Sequence, residues 1–257
     1  MAGPPRIDLN ADVGEGFGPW AMGPDAELLA LVTSVNIACG FHGGDPAVMD
    51  RTVAAAARAG VAVGAHPGYF DLRGFGRRPM AIAPAEVETD VLYQVGALMA
   101  FARSHGARVA HVKPHGALYN QAAEDEGLAR AVARGTARAG PDLVLVGLAS
   151  SAAMRRAAEA EGLRFAAEAF ADRAYQDDGT LRPRTMPGAV ITDPQAAARQ
   201  AVAIARAGEV RSASGATVRV AAETVCVHGD NPSALANARA VREALQAAGV
   251  ALLPLAR

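Results

Sequence analysis

The sequence predicts an α/β fold in which parallel strands alternate with helices, and three observations support this prediction. Seven short apolar runs of four to seven residues alternate with longer alanine-rich segments of helical pattern. Glycine follows most of the helical segments, at the position where helices commonly end. The composition does not change along the 257 residues, so we expect a single domain over residues 1–257.

The seven apolar runs are rich in β-branched and small residues, as expected of parallel strands that are buried on both faces. They are Arg6–Asn10, Thr33–Cys39, Val61–Ala65, Arg108–Val112, Leu143–Val146, Arg164–Ala167 and Thr224–His228. Outside this series, the Ser214-Gly215 pair within residues 210–220 predicts a small hairpin.

The segments between the runs carry the start signals of helices. Asp45-Pro46, Ala83-Pro84 and Asp193-Pro194 each place a proline at a first helical position. The predicted helices cover residues 46–59, 84–104, 122–139, 151–161, 194–207 and 233–248. Two long loops, residues 67–79 and 172–188, interrupt the alternation, and loops of this length usually carry function.

Two architectures are compatible with this alternation, a closed barrel and an open doubly wound sheet. Ionisable residues directly follow six of the seven predicted strands. An open sheet concentrates its site at one switch point, whereas a barrel collects residues from nearly every strand end. We therefore favour a seven-stranded parallel (β/α) barrel.

The composition excludes several classes of protein. Twenty-five basic and 26 acidic residues give a net charge of −1, which leaves no basic excess for binding a nucleic acid. We find neither a signal peptide nor an apolar segment of about 18 residues, so we expect no membrane association and a cytoplasmic location. The two cysteines, Cys39 and Cys226, exclude a disulfide scaffold.

The candidate functional residues lie directly after the strands. Histidines occur at four strand ends, together with acidic residues and Lys113, which is the only lysine of the chain. Because one barrel end gathers all of these positions, we expect a single polar site. The candidate catalytic residues are Asp12, His42, His66, Lys113, His115, Glu168, Asp172 and His228.

Three other polar residues have structural explanations. Asp45 is expected to cap a helix N-terminus. His105 lies at a helix end, where a positive charge complements the helix dipole. His111 lies within a strand and is expected to be a buried, hydrogen-bonded core residue. The sequence also contains no P-loop, HExxH, GxSxG or GxGxxG motif that would indicate one of the common enzyme classes.

Seven motifs, in order and spanning about residues 6–253, resemble those of the LamB/YcsF family. They are Asn10–Gly18, Asn36–Pro46, Gly64–Gly68, Gly74–Arg78, Val112–Asn120, Phe170–Arg173 and Val227–Asp230. The family supplies the A subunit of the bacterial ATP-dependent 5-oxoprolinase. The resemblance implies a fold similar to the seven-stranded barrel of the glycoside hydrolase/deacetylase superfamily. It also implies ATP-driven opening of 5-oxo-L-proline to L-glutamate, together with partner subunits B and C.

This implied reaction suggests roles for the candidate residues. Phosphate contacts are assigned to Lys113 and to Arg173 or the Arg77–Arg78 pair. Asp12, Glu15 or Asp172 would hold Mg²⁺. His42, His66, His115 or Glu168 would transfer protons. The substrate- and phosphate-binding candidates are Glu15, Arg77, Arg78, Tyr119, Arg173 and Asp230.

Two other functions remain open at this point. The first is an ATP-independent, metal-dependent deacetylase or amidohydrolase in which Asp12, His42 and His66 bind a divalent metal and leave one position for water. The second is a non-catalytic subunit that binds the ligand while its partners carry out the chemistry.

Overall fold

The computed structural model describes residues 4–229 and 233–256. The strands in these ranges are named in chain order. They are β1 (Arg6–Val13), β2 (Ser34–Ala38), β3 (Ala62–His66), β4 (Val109–Val112), β5 (Val144–Leu148), β6 (Arg164–Phe170), β7 (Glu209–Arg211), β8 (Thr217–Arg219), β9 (Thr224–Val227) and β10 (Ala251–Leu252).

Seven parallel strands form a closed barrel. They pair in the order β1-β2-β3-β4-β5-β6-β9, and β9 also pairs with β1 along Asp8–Ala11. The short strand β10 pairs only with Arg6 and Ile7 at the start of β1. The closure confirms the predicted seven-stranded (β/α) barrel and excludes the open sheet. Strands β7 and β8 pair antiparallel, which confirms the predicted hairpin.

Helices connect the strands and pack against them. Within the described ranges they are α1 (Asp25–Leu29), α2 (Pro46–Ala59), α3 (Pro84–Ser104), α4 (Gly116–Glu124), α5 (Glu126–Ala139), α6 (Ala152–Ala160), α7 (Pro194–Ala207) and α8 (Ala234–Ala247). In this part of the chain, no helix has the length and apolar character needed to cross a membrane.

Most helix boundaries agree with the sequence, and one prediction is wrong. The Asp45 side chain accepts hydrogen bonds from the backbone N–H groups of Ala47 and Val48, so it caps α2 as predicted. The predicted helix 122–139 is instead two helices. Asp125 ends α4, and its side chain accepts a hydrogen bond from Leu128 N to cap α5.

Strands β1 and β2 bury apolar side chains on one face and polar side chains on the other. In β1, Ile7, Leu9, Ala11 and Val13 belong to the hydrophobic core. The alternate residues Asp8, Asn10 and Asp12 are also buried, but they bond to polar residues of neighbouring strands across the barrel interior. The barrel interior is therefore polar beside β1, whereas Val144 and Val146 of β5 and Ala166 of β6 form a separate apolar cluster.

Candidate active site

The eight candidate catalytic residues all lie at the carboxyl end of the barrel and are nearly inaccessible to solvent. Their exposed fractions range from 0 to 9%. They form three connected groups, which are a lysine held by carboxylates, a cluster of histidines and an aspartate–histidine pair. The sequence prediction of one convergent polar site therefore agrees with the geometry.

A hydrogen-bonded layer lies below the site in the barrel interior. Asp8 accepts hydrogen bonds from the hydroxyls of Ser34 and Thr224 at 2.6–2.9 Å. Asn36 donates through Nδ2 to Asn10 Oδ1 at 2.7 Å and to Asp12 Oδ1 at 2.8 Å. This layer fixes the orientation of the Asp12 carboxylate from below.

Lys113 occupies the centre of the site. Its ammonium nitrogen lies 2.9 Å from Glu168 Oε1 and 3.0 Å from Asp12 Oδ1. It also donates to Cys226 Sγ at 3.1 Å. A fourth acceptor, Asn10 Oδ1, lies at 3.4 Å. A compact ammonium group with three donors suits this enclosed set of acceptors.

The electrostatics keep this group charged. Burial opposes ionisation of Lys113, but Asp12, Cys226 and Glu168 outweigh it and hold the lysine pKa well above its usual range. Burial likewise opposes ionisation of Asp12, but His66 and Lys113 hold the Asp12 pKa well below its usual range. Lys113 therefore acts as a fixed positive charge and not as an amine nucleophile.

Three histidines and Glu15 form the second group. His66 Nε2 lies 3.0 Å from His115 Nδ1 and 3.4 Å from Asp12 Oδ2. Glu15 Oε1 lies 3.4 Å from His115 Nδ1 and 3.2 Å from His42 Nε2. The His42 ring stacks on the His115 ring with centroids 3.6 Å apart.

Burial, with His66 as the next cause, lowers the pKa of His42 well below its usual value. The pKa of His115 is also held well below its usual value, first by burial and then by His42 and His66. Both rings are therefore neutral at neutral pH, which is the form that binds metals or accepts protons.

The third group is the pair of Asp172 and His228. Asp172 accepts hydrogen bonds from the backbone N–H of His228 at 3.0 Å and from its Nδ1 at 2.9 Å. Burial opposes ionisation of Asp172, but His228 outweighs it and lowers the Asp172 pKa. A ring nitrogen of His228 lies within 4.8 Å of an Asp12 oxygen and of Cys226 Sγ. This pairing fixes one tautomer of His228, as in acid–base dyads.

Arg173 supports the loop after β6. Its guanidinium donates to the carbonyl oxygens of Ala189 and Arg182 at 3.2 and 2.7 Å. Burial, with Arg184, lowers the pKa of Arg173 to about 10. Gln200 of α7 donates to the carbonyl oxygens at 170, 171 and 173 and so anchors the same loop. Arg173 is thus already engaged in holding backbone.

The remaining substrate candidates are found in different places. Arg78 is exposed and forms an ion pair with the buried Asp71 carboxylate. Arg77 is exposed, and its guanidinium lies 4.9 Å above the Phe75 ring, which also contacts His115. Tyr119 is buried beside Phe170. Asp230 lies outside the described residues.

His105 and His111 have the structural roles that the sequence suggested, each with an added partner. His111 is 1% exposed, and its Nε2 donates to Asn36 Oδ1 at 2.8 Å. Burial, with Lys113 and His66 as further causes, lowers the His111 pKa to about 3. Gly64 makes room for this ring, because a β-carbon at position 64 would overlap it. His105 lies at the end of α3 and pairs with Asp50.

Sequence reasoning missed the residues that orient the central charges. Asn10, Asn36 and Cys226 all contact Lys113 or Asp12. The signal was present in β1, where Asp8, Asn10 and Asp12 repeat at every second position, as side chains on one face of a strand do.

The predicted metal set of Asp12, His42 and His66 differs from the groups that the fold brings together. Within residues 4–229 and 233–256, two groups of side chains could hold a metal, namely Glu15, His42, His66 and His115, and Asp12, Cys226 and His228. Asp12 and His66 are neighbours, but the His42 nitrogen faces Glu15.

The site combines a fixed positive charge, neutral imidazoles and an oriented histidine in a space largely closed to solvent. Such an arrangement can stabilise a developing negative charge and transfer protons. Glu168 Oε2 and the Tyr119 hydroxyl are both buried, and neither has a well-aligned hydrogen-bond partner among the described residues. Burial raises the Tyr119 pKa, and the two groups are close enough for Glu168 to raise it further through a hydrogen bond. A bound ligand would provide partners for these two groups.

The chain is similar to proteins of one family along nearly its whole length. A protein named as the A subunit of 5-oxoprolinase from Heliobacterium modesticaldum is 56% identical over 247 residues, which cover 96% of this chain and 97% of that protein. One of the same name from Symbiobacterium thermophilum is 55% identical over 253 residues, covering 98% and 97%.

A solved structure gives the same result. The crystal structure of the lactam utilization protein from Thermus thermophilus superposes with a TM-score of 0.91 at 50% identity, covering 96% of this chain and 99% of that one. Residues 7–257 match the LamB/YcsF family. The chain therefore belongs to the LamB/YcsF family.

Proposed function

We propose that the chain is the A subunit of a 5-oxoprolinase, which opens the lactam ring of 5-oxo-L-proline to give L-glutamate with hydrolysis of ATP, together with subunits B and C. Relatives at 55–56% identity over nearly the whole chain carry the name of that subunit, which supports this proposal. The observation that carries it is Lys113, held between Asp12 and Glu168, with the Asp172–His228 pair beside Asp12.

Glu168 Oε2 and the Tyr119 hydroxyl could form hydrogen bonds with the amide of a lactam. The amide of a five-membered lactam is cis, so its N–H and C=O lie on the same side of the ring. Glu168 Oε2 would accept the N–H, and the Tyr119 hydroxyl would donate to a lactam oxygen. Burial, with Glu168 as the next cause, raises the Tyr119 pKa well above its usual value, so this hydroxyl keeps its proton.

We assign each step of lactam opening to particular residues of this chain. His228, oriented by Asp172, transfers the proton between the attacking water and the leaving ring nitrogen. The Lys113 ammonium stabilises negative charge that develops on the lactam oxygen. Asp12 and Glu168 hold Lys113 in place. ATP would supply an activating phosphoryl group for that oxygen, since an amide is a poor electrophile.

Most of the positively charged candidates for phosphate binding already have partners within this chain. Lys113, Arg78 and Arg173 are each engaged by carboxylates or carbonyl oxygens of this chain. Arg77 also has interactions within the chain, but it is exposed and its guanidinium lies over the Phe75 ring. We propose that ATP and its Mg²⁺ bind at the mouth of the barrel near Arg77, with further contacts from a partner protein.

We place this activity in the cytoplasm, where ATP is available and the free buried thiols of Cys39 and Cys226 stay reduced. The family match over residues 7–257 supports treating the chain as one domain that carries one site.

The test is 5-oxoproline-dependent release of ADP, measured with this chain alone and then with subunits B and C. We expect turnover in the mixture and none with either part alone. Release of glutamate by this chain without ATP would overturn the proposal and favour a metal-dependent amidohydrolase. Full turnover of a mixture that contains an Asp172→Asn, Lys113→Met chain would make this chain a non-catalytic ligand-binding subunit.

A further inference from the structure

His66 and His115 each have one ring nitrogen tied to a backbone carbonyl. His66 Nδ1 lies 2.7 Å from the Lys113 carbonyl oxygen, and His115 Nε2 lies 2.8 Å from that of Phe75. A carbonyl oxygen only accepts hydrogen bonds, so each of these nitrogens carries a proton, and in the neutral, metal-binding form of the ring the other nitrogen has the lone pair. The lone pairs are therefore on His66 Nε2 and His115 Nδ1, which face each other at 3.0 Å.

Two carboxylates place oxygens around the same lone pairs. Glu15 Oε1 lies 3.4 Å from His115 Nδ1, and Asp12 Oδ2 lies 3.4 Å from His66 Nε2. All four atoms are acceptors in the neutral tautomers, and none of the four residues is more than 7% exposed. Lys113 pairs with Oδ1 of Asp12, and the converging acceptors on the other side, around Asp12 Oδ2, are a favourable place for a second cation. A single proton joins only two acceptors, whereas a metal ion joins several.

The spacing fits a metal of small radius. Donors that bind a tetrahedral ion at 2.0–2.2 Å lie about 3.3–3.6 Å from one another. Among the atoms of His66, His115 and Glu15, the two distances at His115 Nδ1, 3.0 Å to His66 Nε2 and 3.4 Å to Glu15 Oε1, are close to this range, and all three atoms lie within 4.8 Å of one another. The ring planes of His66 and His115 cross at 90°, so one ion can lie in both planes.

His42 does not fit as a ligand beside His115. Its ring is parallel to that of His115, with an interplanar angle of 1° and centroids 3.6 Å apart. Two stacked parallel rings cannot both hold one ion in their planes. His42 Nε2 lies 3.2 Å from Glu15 Oε1 and can donate to that carboxylate, as residues around metal ligands commonly do.

We propose that His66 Nε2, His115 Nδ1 and the Glu15 carboxylate bind one divalent transition-metal ion of the zinc class. Its fourth position faces Asp12 and is left for a water or a substrate oxygen. Imidazole donors favour zinc and its neighbours over Mg²⁺, which takes oxygen ligands, so this ion is distinct from the Mg²⁺ of ATP. An ion held by three protein ligands polarises a bound carbonyl or water.

Metal content of the purified full chain tests the proposal. The chain is stripped with a chelator, reloaded with Zn²⁺ or Co²⁺, desalted and analysed by mass spectrometry of the elements. We expect about one equivalent of zinc, a visible absorption band of tetrahedral Co²⁺, and a Tm that falls when the metal is removed. His66→Gln, His115→Gln and Glu15→Gln should each lose the metal and the cobalt band.

Two further histidine variants serve as controls, and circular dichroism confirms that each variant is folded. His111→Gln removes a buried histidine outside the set and should keep the full equivalent. His42→Gln should keep the metal with affinity lowered about 10–100-fold, as for a residue that orients a ligand. Metal content, the cobalt band and the Tm are measured without turnover, so a failure of this proposal can be told apart from a failure of the 5-oxoprolinase proposal.

Two results would overturn the proposal. Wild-type chain that takes up neither zinc nor cobalt would show that a proton, and not a metal, lies between His66 and His115. Loss of metal from His42→Gln with retention by His115→Gln would show that the ligand set is wrong.

Discussion

Lys113 and Glu168 form a buried ion pair, with the ammonium nitrogen 2.9 Å from Oε1 and both side chains at most 3% exposed. The lysine comes from the end of β4 and the glutamate from β6. The pair therefore joins two strands that are not adjacent in the barrel, since β5 lies between them. Asp12 of β1 completes the group from a third strand.

Replacement of Lys113 by methionine should destabilise the fold strongly. Asp12 and Glu168 would remain buried without their positive partner, and breaking a buried pair in this way costs about 3–5 kcal/mol. We expect the free energy of unfolding, measured with urea, to fall by that amount.

Two variants sharpen this test. The double change Lys113→Met, Glu168→Gln removes one of the two unpaired carboxylate charges. It should recover part of the lost free energy of unfolding. Lys113→Arg keeps the charge but brings a planar fork to a position shaped for a compact ammonium, so turnover of the assembled enzyme should fall. Lys113→Met with wild-type stability would show that the two carboxylates do not depend on the lysine.

A methyl group at position 64 should disrupt the barrel interior. Gly64 lies on β3 against the buried His111 ring, and a β-carbon there would overlap the ring. Overpacking of a buried position typically costs about 1–3 kcal/mol, and the fixed His111–Asn36 hydrogen bond leaves little freedom to relax. Thermal unfolding of Gly64→Ala should show a lowered Tm.

Gly96→Ala is the matched control. Gly96 lies within α3, and a β-carbon added there would have nothing within 4 Å of it. Alanine is favoured over glycine in helices by up to about 1 kcal/mol, so this variant should be slightly more stable than the wild type. Equal stabilities of the two variants would contradict the packing described for Gly64.

The position of the site, at the carboxyl end of a barrel, could be predicted because it depends on where polar residues stand relative to apolar runs. His42, His66 and His115 each follow a strand closely, and the closed barrel brings them together. The partners of these residues could not be predicted, because a partner depends on which strands become neighbours. Asp172 is adjacent to Arg173 in sequence, yet its partner is His228, since β6 pairs with β9.

Helix propensity and strand pattern, read from the sequence, also failed at two places. Residues 122–139 are rich in alanine and indicate one helix, but Asp125 gains more as the cap of α5 than as an interior residue. The polar interior of β1 was likewise missed, because a run of buried strand residues was expected to be apolar on both faces. The repeat of Asp8, Asn10 and Asp12 is visible only once the strand is extended to Val13.

The stability of the protein should fall in acid partly because of His111. Its pKa is lowered to about 3, below an unfolded value of about 6.5. Between these values the unfolded chain binds a proton that the folded chain does not, so stability from this residue is present above about pH 6.5 and declines toward pH 3. The slope is that of one proton, about 1.4 kcal/mol per pH unit.

His111→Gln should remove this slope, because glutamine has no proton to gain and can donate its amide to Asn36 as the ring does. Urea unfolding at a series of pH values would show a flatter curve for the variant between pH values of about 4 and 6. Above about pH 7 the two curves should run parallel, which is the internal control. Identical slopes in acid would mean that the folded protein protonates His111 readily.

Asp172→Asn should impair catalysis while leaving substrate binding nearly intact. The asparagine amide would face His228 Nδ1 where the carboxylate now accepts its proton, so the ring would adopt the other tautomer and lose its basic nitrogen toward the substrate. We expect kcat of the assembled enzyme to fall about 10²–10⁴-fold, with KM changed only a few-fold. Asp178→Asn, in an exposed turn of the same loop, should behave as the wild type. Turnover of Asp172→Asn within a few-fold of the wild type would show that His228 does not transfer the proton.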